Sequence, residues 1–299
     1  MSGSLVEGFG NANSDIDLHI IHAGESPRVA SAIGLRVGMY VDCEYVSEGS
    51  LGALAEQMTS IVGDRRSRSS LENVIRYYRL ATGIPLVVSQ SASRALEPFT
   101  ASTACKVSAD FARARFRDCL ARAWLACALE HDRAARMLLR EADSWLAAAR
   151  LADDGEGYPS NKWNGEKAAR RYGRGSVRFI EVMGYLNYSE PDVGKAIARR
   201  RELIADVSES PLVELSLAPA VTLLESAAGT VVTTPHRTVK TLSQEMSTLL
   251  VGLAGGDSWR AATDTRAGEL GLIPEYYRIA IGADAAELRR VGILEVSGE

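Results

Sequence analysis

The stretch Ser14-Asp15-Ile16-Asp17-Leu18-His19-Ile20-Ile21, set behind the glycine-rich run Gly3 to Gly10, constrains the chain more than any other. Alternation of acid and aliphatic residues is the pattern of a half-buried strand, so Asp15 and Asp17 fall on one face while Ile16 and Leu18 point into a core. Two carboxylates held this close repel each other. A divalent cation relieves that repulsion, most naturally Mg²⁺, which takes hard oxygen ligands and keeps room for substrate phosphates. Ahead of the acids, Gly3 lets backbone N–H groups approach a phosphate closely and Ser4 adds a hydroxyl donor. The segment therefore predicts a metal and triphosphate site at the start of a sheet.

A β-rich run follows at residues 37–46, where Asp42 and Glu44 share one face by the same alternation. A polar loop is expected between the two strands. Next comes a helix over Ser50 to Ile61, with Leu51, Leu54, Ala55 and Met58 as its buried stripe and Ser47 as its cap. The patch 63–70 predicts a solvated basic loop containing Arg65, Arg66 and Arg68. Leu71 to Thr82 predicts a helix stopped by Gly83 and Pro85, and Leu86-Val87-Val88 a short strand.

From Ala104 to Ala152 the chain contains no Gly or Pro and is rich in Ala, Leu and Arg. This predicts two long helices broken near Glu130-His131-Asp132, with Phe111, Leu120, Trp124, Leu138, Leu139, Trp145 and Leu146 as core candidates. Further helices are expected over Val177–Leu186, Asp192–Val207 and Leu215–Ala227, with a short strand at 230–234. The last part predicts two helices around a Gly255-Gly256 turn, then a final helix and strand ending near Val296.

Length, composition and charge narrow the function classes. A chain of 299 residues with 46% hydrophobic content can bury an ample core over two or three domains. It has neither a long apolar run nor a basic-then-apolar N-terminus, so the expectation is a cytoplasmic protein that does not engage a membrane. Cys43, Cys105, Cys119 and Cys127 lack CxxC spacing and are expected as reduced, mostly buried thiols. His19 and His22 flank the end of the acidic strand and are expected to be exposed. Residues 104–205 carry 19 Lys and Arg against 14 Asp and Glu, the one basic segment of the chain. A positive segment beside an acidic metal site suits a triphosphate. Residues 237–299 carry 7 basic against 9 acidic residues, which argues against a reader of duplex DNA.

The Gly3-Ser4 turn, the further glycines and Ser14-Asp15-Ile16-Asp17-Leu18 together resemble the signature of the nucleotidyltransferase superfamily, which includes DNA polymerase β and the aminoglycoside-modifying nucleotidyltransferases. Arg79-Leu80-Ala81-Thr82-Gly83-Ile84-Pro85-Leu86 is similar to the element that closes the catalytic domain in those enzymes. The resemblance implies an α+β fold with a mixed sheet and flanking helices over 1–103, followed by an α-helical bundle over 104–236; separately, the ending Ala285 to Val296 resembles the final helix and strand of winged-helix domains, which gives a small winged-helix-like domain over 237–299. In the superfamily a helix and a strand normally precede the Gly-Ser turn; here the turn begins at residue 3, so an uncovered sheet edge is expected.

By the same resemblance, Asp15, Asp17 and Asp42 hold Mg²⁺, and Asp42 or Glu44 serves as catalytic base. Gly3, Ser4 and Ser14 seat the nucleoside triphosphate. Lys162, beside Trp163, faces its phosphates, with Lys167, Arg170 and Arg171 competing for that task. The implied reaction moves a nucleoside monophosphate from an NTP such as ATP to an acceptor hydroxyl, favouring a small molecule. Nucleotidylation of a protein or tRNA, a non-catalytic nucleotide-binding scaffold and homo-oligomer formation stand as alternatives.

Overall fold

The computed structural model describes all residues except 4, 11–13, 25–30, 37–38, 63–68, 188–191, 202–213, 219–220, 227–228, 234–238 and 298–299. It is a mostly helical α+β structure with small sheets. Among the described residues no helix is long and apolar enough to cross a membrane. Contacts divide the chain into two compact units, Met1–Phe116 with Asp143–Tyr188, and Arg117–Ala142 with Ser189–Glu299. This grouping differs from the composition boundaries near residues 103 and 236, because both long helices run through both units.

The first unit opens with a three-stranded mixed sheet of order β1-β3-β2, made from β1 (Ile16–His22), β2 (Ser31–Arg36) and β3 (Met39–Ser47). β1 runs parallel to β3, and β2 runs antiparallel to it. The expected polar loop after β1 thus contains a strand, β2, whose short Ser-Ala-Ile-Gly-Leu-Arg run lacks the acid alternation that marked its neighbours. Ser47 caps α1 (Glu48–Ile61) through its side chain, and Ser70 caps α2 (Leu71–Thr82) in the same way. Each hydroxyl satisfies an amide that the helix itself leaves unpaired. Leu51 and Met58 of α1 and Val74 and Tyr77 of α2 are fully buried. Of the expected loop at 63–70, residues 63–68 lie outside the described residues.

Leu86-Val87-Val88 is not a strand. Val87 is 95% exposed, and Pro85 removes one amide from any ladder. The chain instead enters α3 (Gln90–Leu96), capped by Ser89. The expected bare edge beside β1 is also met differently. Ser2 bridges Asp17, its N–H donating to the Asp17 carbonyl at 2.9 Å, and Met1 exchanges two backbone hydrogen bonds with Ile84.

The Gly-free run forms α4 (Ala101–Ala128) and α5 (Asp132–Asp153), and the break falls where expected, with Glu130 in the left-handed region at φ 59°. In the first unit Phe111 meets Trp145 edge to face at 5.6 Å, and Arg113 spans Asp110 and Asp153. A short 3-10 turn at Asn161–Trp163 leads into α6 (Asn164–Tyr172) and α7 (Val177–Leu186). Ala147 and Leu151 of α5, Ala168 of α6 and Val182 of α7 form a small core of their own.

In the second unit the expected helix over Leu215–Ala227 is replaced by β4 (Leu215–Leu217) and β5 (Thr222–Ser226). Pro219 and the β-branched residues beside it oppose a helix, and partner strands are available. β5 joins β6 (Gly229–Thr233) and β7 (Val239–Thr241) in a three-stranded sheet of order β5-β6-β7. Before these strands lies α8 (Val193–Arg201); the rest of the helix expected to reach Val207 lies outside the described residues. After them come α9 (Gln244–Ala254), α10 (Trp259–Glu269), α11 (Pro274–Arg290) and β8 (Leu294–Val296), the last pairing antiparallel with β4. Their core includes Leu249, Leu250, Trp259, Tyr277, Ile281 and Ile293.

One buried polar cluster ties these helices together. Glu245 of α9 accepts from Arg266 of α10 at 2.6 and 3.0 Å and from the Tyr277 hydroxyl of α11 at 3.1 Å. Removing the shared acceptor leaves the Tyr277 phenol without its acceptor and the Arg266 guanidinium with only the exposed Glu269, at 2.8 Å, which costs more than losing a surface ion pair. Glu245→Ala is expected to lower stability by about 3 kcal/mol in chemical unfolding, and by clearly more than Glu287→Ala at the exposed Arg290 pair.

Candidate functional site

The acids meet because of strand register. β1 pairs with β3 so that Asp17 lies opposite Asp42 and His19 opposite Glu44, and partners across a parallel ladder project to the same face. Asp15 stands one step before β1 and is exposed. Burial reverses the expectation for this strand: Asp17, 8% exposed, is its most buried residue, whereas Ile20 is 38% exposed. The acidic face is covered, by α2 and by the first residues of the chain.

α2 brings two arginines that the sequence reading missed. Arg79 Nη1 lies 3.0 Å from Asp17 Oδ1, and Arg76 pairs with Glu44. Residues three apart share a helix face, so both guanidiniums arrive from one turn of α2. The available signal was a pair of arginines at that spacing beside the buried Val74, Tyr77 and Tyr78. Burial pushes the Asp17 carboxyl above its usual range; Arg79 opposes this, and Asp15 and Asp42 add to it. Glu44 is held below its usual range by the His19 ring, whose Nδ1 is 3.3 Å away, and by Arg76. The two open candidates for third carboxylate are therefore placed unlike each other. Asp42 faces Asp17, while Glu44 is committed to Arg76 and His19.

Gly3 explains itself. With φ at +86° it occupies the left-handed region, and a Cβ added there would stand 1.8 Å from Asp17 Oδ2. Only a glycine lets the turn lie directly on the carboxylate. Ser4 lies outside the described residues, and Ser14 is half-buried next to Asp15. Among the described residues no three His, Cys, Asp or Glu side chains converge as a metal-holding group. The donor type nonetheless suits a hard divalent cation: Asp15 and Asp42 are oxygen donors near enough to raise the Asp17 carboxyl, and two arginines stand against four carboxylates.

The candidate phosphate cations occupy a second cluster. Lys162 is exposed, with Nζ 5.0 Å from the centre of the Trp163 ring. Trp163 stacks at 5.3 Å on Phe9 of the opening stretch, and Arg170 lies over Phe9 at 4.4 Å. Arg170 binds Glu156 through Nε at 2.9 and 3.1 Å and also donates to the Glu7 carbonyl. Lys167 is fully buried, donating from Nζ to the Tyr158 carbonyl at 2.9 Å. Burial brings the Lys167 ammonium down to about 7, with Glu156 and Glu7 opposing the shift and Arg170 adding to it. A lysine so enclosed is no mobile phosphate ligand. All four cysteines are free thiols.

The chain matches no family model, and no curated protein or solved structure is significantly similar to it.

The Lys167 geometry fixes the sign of a pH effect. Below about pH 7 the ammonium is protonated in both the folded and unfolded chain, so its burial penalty is full and constant. Between about 7 and the ordinary 10.5 the unfolded chain keeps a proton that the folded chain has released, and stability rises with pH. Lys167→Met is expected to flatten that rise. Unfolding free energies of both proteins, taken from pH 6.5 to 9.5, check it.

Proposed function

We propose that the chain is a divalent-cation-dependent nucleotidyltransferase that moves a nucleoside monophosphate from an NTP to an acceptor hydroxyl and releases pyrophosphate. One observation carries the reading. Asp17 and Asp42 lie opposite each other on parallel strands with Asp15 adjacent, and a left-handed glycine turn lies on Asp17 where no side chain fits. Structural acids are seldom gathered this way, since their mutual repulsion and burial work against the fold.

In this reading Asp15, Asp17 and Asp42 would hold Mg²⁺, which when bound supplies positive charge against the triphosphate. The Gly3 turn offers backbone N–H groups to the phosphates. Asp42, rather than the committed Glu44, takes the proton of the acceptor hydroxyl. The acceptor oxygen then forms its bond to the α-phosphorus in line with the bond that breaks, and the electron pair of that bond leaves on pyrophosphate. A small-molecule acceptor rests on the pairing of such a sheet with a helical bundle, and the C-terminal helices, winged-helix-like in their order, are assigned to protein or self-association.

Titration calorimetry with each of the four ribonucleoside triphosphates and Mg²⁺ tests the reading without knowledge of the acceptor. Binding of one nucleotide, lost in the Asp15→Asn, Asp17→Asn double variant, is expected; no binding of any of them contradicts it. Once an acceptor is found, Asp42→Asn should slow turnover by about 10² to 10⁴, the ordinary contribution of a positioned base, while Glu44→Gln stays within about tenfold of the parent.

A further inference from the structure

We propose that Arg170 is a positioning residue that acts through Glu7 to hold the Gly3 turn in the shape that receives phosphate. The inference rests on the nucleotidyltransferase reading and names how the seat of that site is kept in place.

The connection can be followed atom by atom. The Glu7 N–H donates to the Gly3 carbonyl at 3.1 Å, closing the turn, and the Gly8 N–H donates to the Leu5 carbonyl at 3.2 Å. Gly3 in turn lies on Asp17, and its neighbour Ser2 is bonded to the Asp17 backbone. Wherever Glu7 is held, Gly3 is held. Glu7 itself is gripped at both ends: Arg170 Nη1 donates to its carbonyl, and Arg170 Nη2 stands 3.6 Å from its carboxylate. That carboxylate also accepts from the Thr82 hydroxyl at 3.3 Å and the Tyr78 hydroxyl at 3.5 Å.

The side chain of Glu7 is only 10% exposed, so its charge needs a cation. Burial pushes its carboxyl upward and Arg170 is the largest opposing influence. Two residues on, Phe9 stacks on Trp163 and carries the same guanidinium over its ring. One arginine thus fixes the turn by a carbonyl, a carboxylate and a ring, while Glu156 fixes the arginine. Its donors are engaged in doing so. Arg170 therefore acts through Glu7 and Gly3 rather than as a ligand of phosphate.

The acids and the turn make separable demands, and this gives the test. Asp15, Asp17 and Asp42 belong to the sheet, so a cation alone reads the sheet; inorganic triphosphate with the cation reads the turn, whatever base the natural nucleotide carries. The experiment uses the full chain and the variants Arg170→Ala, Arg170→Lys and Phe9→Ala, with Mn²⁺ alone, Mn²⁺ plus inorganic triphosphate, and amide exchange over residues 5–10 as readouts.

Arg170→Ala is expected to bind Mn²⁺ within about twofold of the parent, to bind triphosphate about tenfold or more weakly, and to exchange residues 5–10 about tenfold faster. Arg170→Lys should fall between, because lysine keeps the charge without the fork. If Arg170→Ala does not fold, Phe9→Ala reads the same latch, with faster exchange and weaker triphosphate binding expected. Unchanged triphosphate affinity in a folded variant overturns the positioning role while leaving the nucleotidyltransferase reading intact. Equal loss of Mn²⁺ and triphosphate overturns it as well, since that marks general collapse. A parent chain that binds neither Mn²⁺ nor triphosphate overturns the underlying reading and the inference with it.

Discussion

The carboxylate of Asp17 is a cost that the first unit is built to carry. It is buried, it has Asp15 and Asp42 as neighbours, and burial and both neighbours raise the free energy of its charged form. Arg79 offsets part of that at Oδ1, and the turn at Gly3 lies against Oδ2. A fold selected for stability alone would place an apolar residue here. On the proposed reading, the acid is kept in this position for the cation and phosphate it would hold, at a local penalty to the fold.

Around that site the structure separates two jobs. The sheet sets the acids, since register alone determines that Asp17 meets Asp42 and His19 meets Glu44. The helices set the turn, since Tyr78 and Thr82 of α2 and Arg170 of α6 all converge on Glu7. A glycine turn without such support would be free to adopt many shapes, and the phosphate seat proposed here would need it held to small displacements. The Phe9 and Trp163 stack fixes the same stretch by apolar contact, which salt does not screen.

Much of this was legible in the sequence where the signal is local. The acid alternation gave β1, Ser47 marked the cap of α1, Gly83 and Pro85 marked the end of α2, and the absence of Gly and Pro gave α4 and α5 with their break at Glu130. What failed was non-local. Leu215–Ala227 has enough aliphatic residues for a helical stripe, but β8, far along the chain, is there to pair with its first residues. Leu86-Val87-Val88 has strand composition, yet among the described residues it pairs with no strand. The covered acidic face was hidden for the same reason: alternation tells which residues share a face, and only packing decides which face is buried. Lys167 and Arg170 could be named as cations near the site, yet their partners Tyr158, Glu156 and Glu7 are known only once the chain is folded.

We propose that these carboxylates and the turn over them form a metal and triphosphate site. The most direct test is diffraction at the manganese absorption edge from crystals soaked with Mn²⁺ and a non-hydrolysable nucleoside triphosphate. An anomalous peak within coordination distance of Asp15 and Asp17 is expected, with phosphate density against the backbone of Gly3. A peak elsewhere, or none with the nucleotide bound at another place, contradicts it.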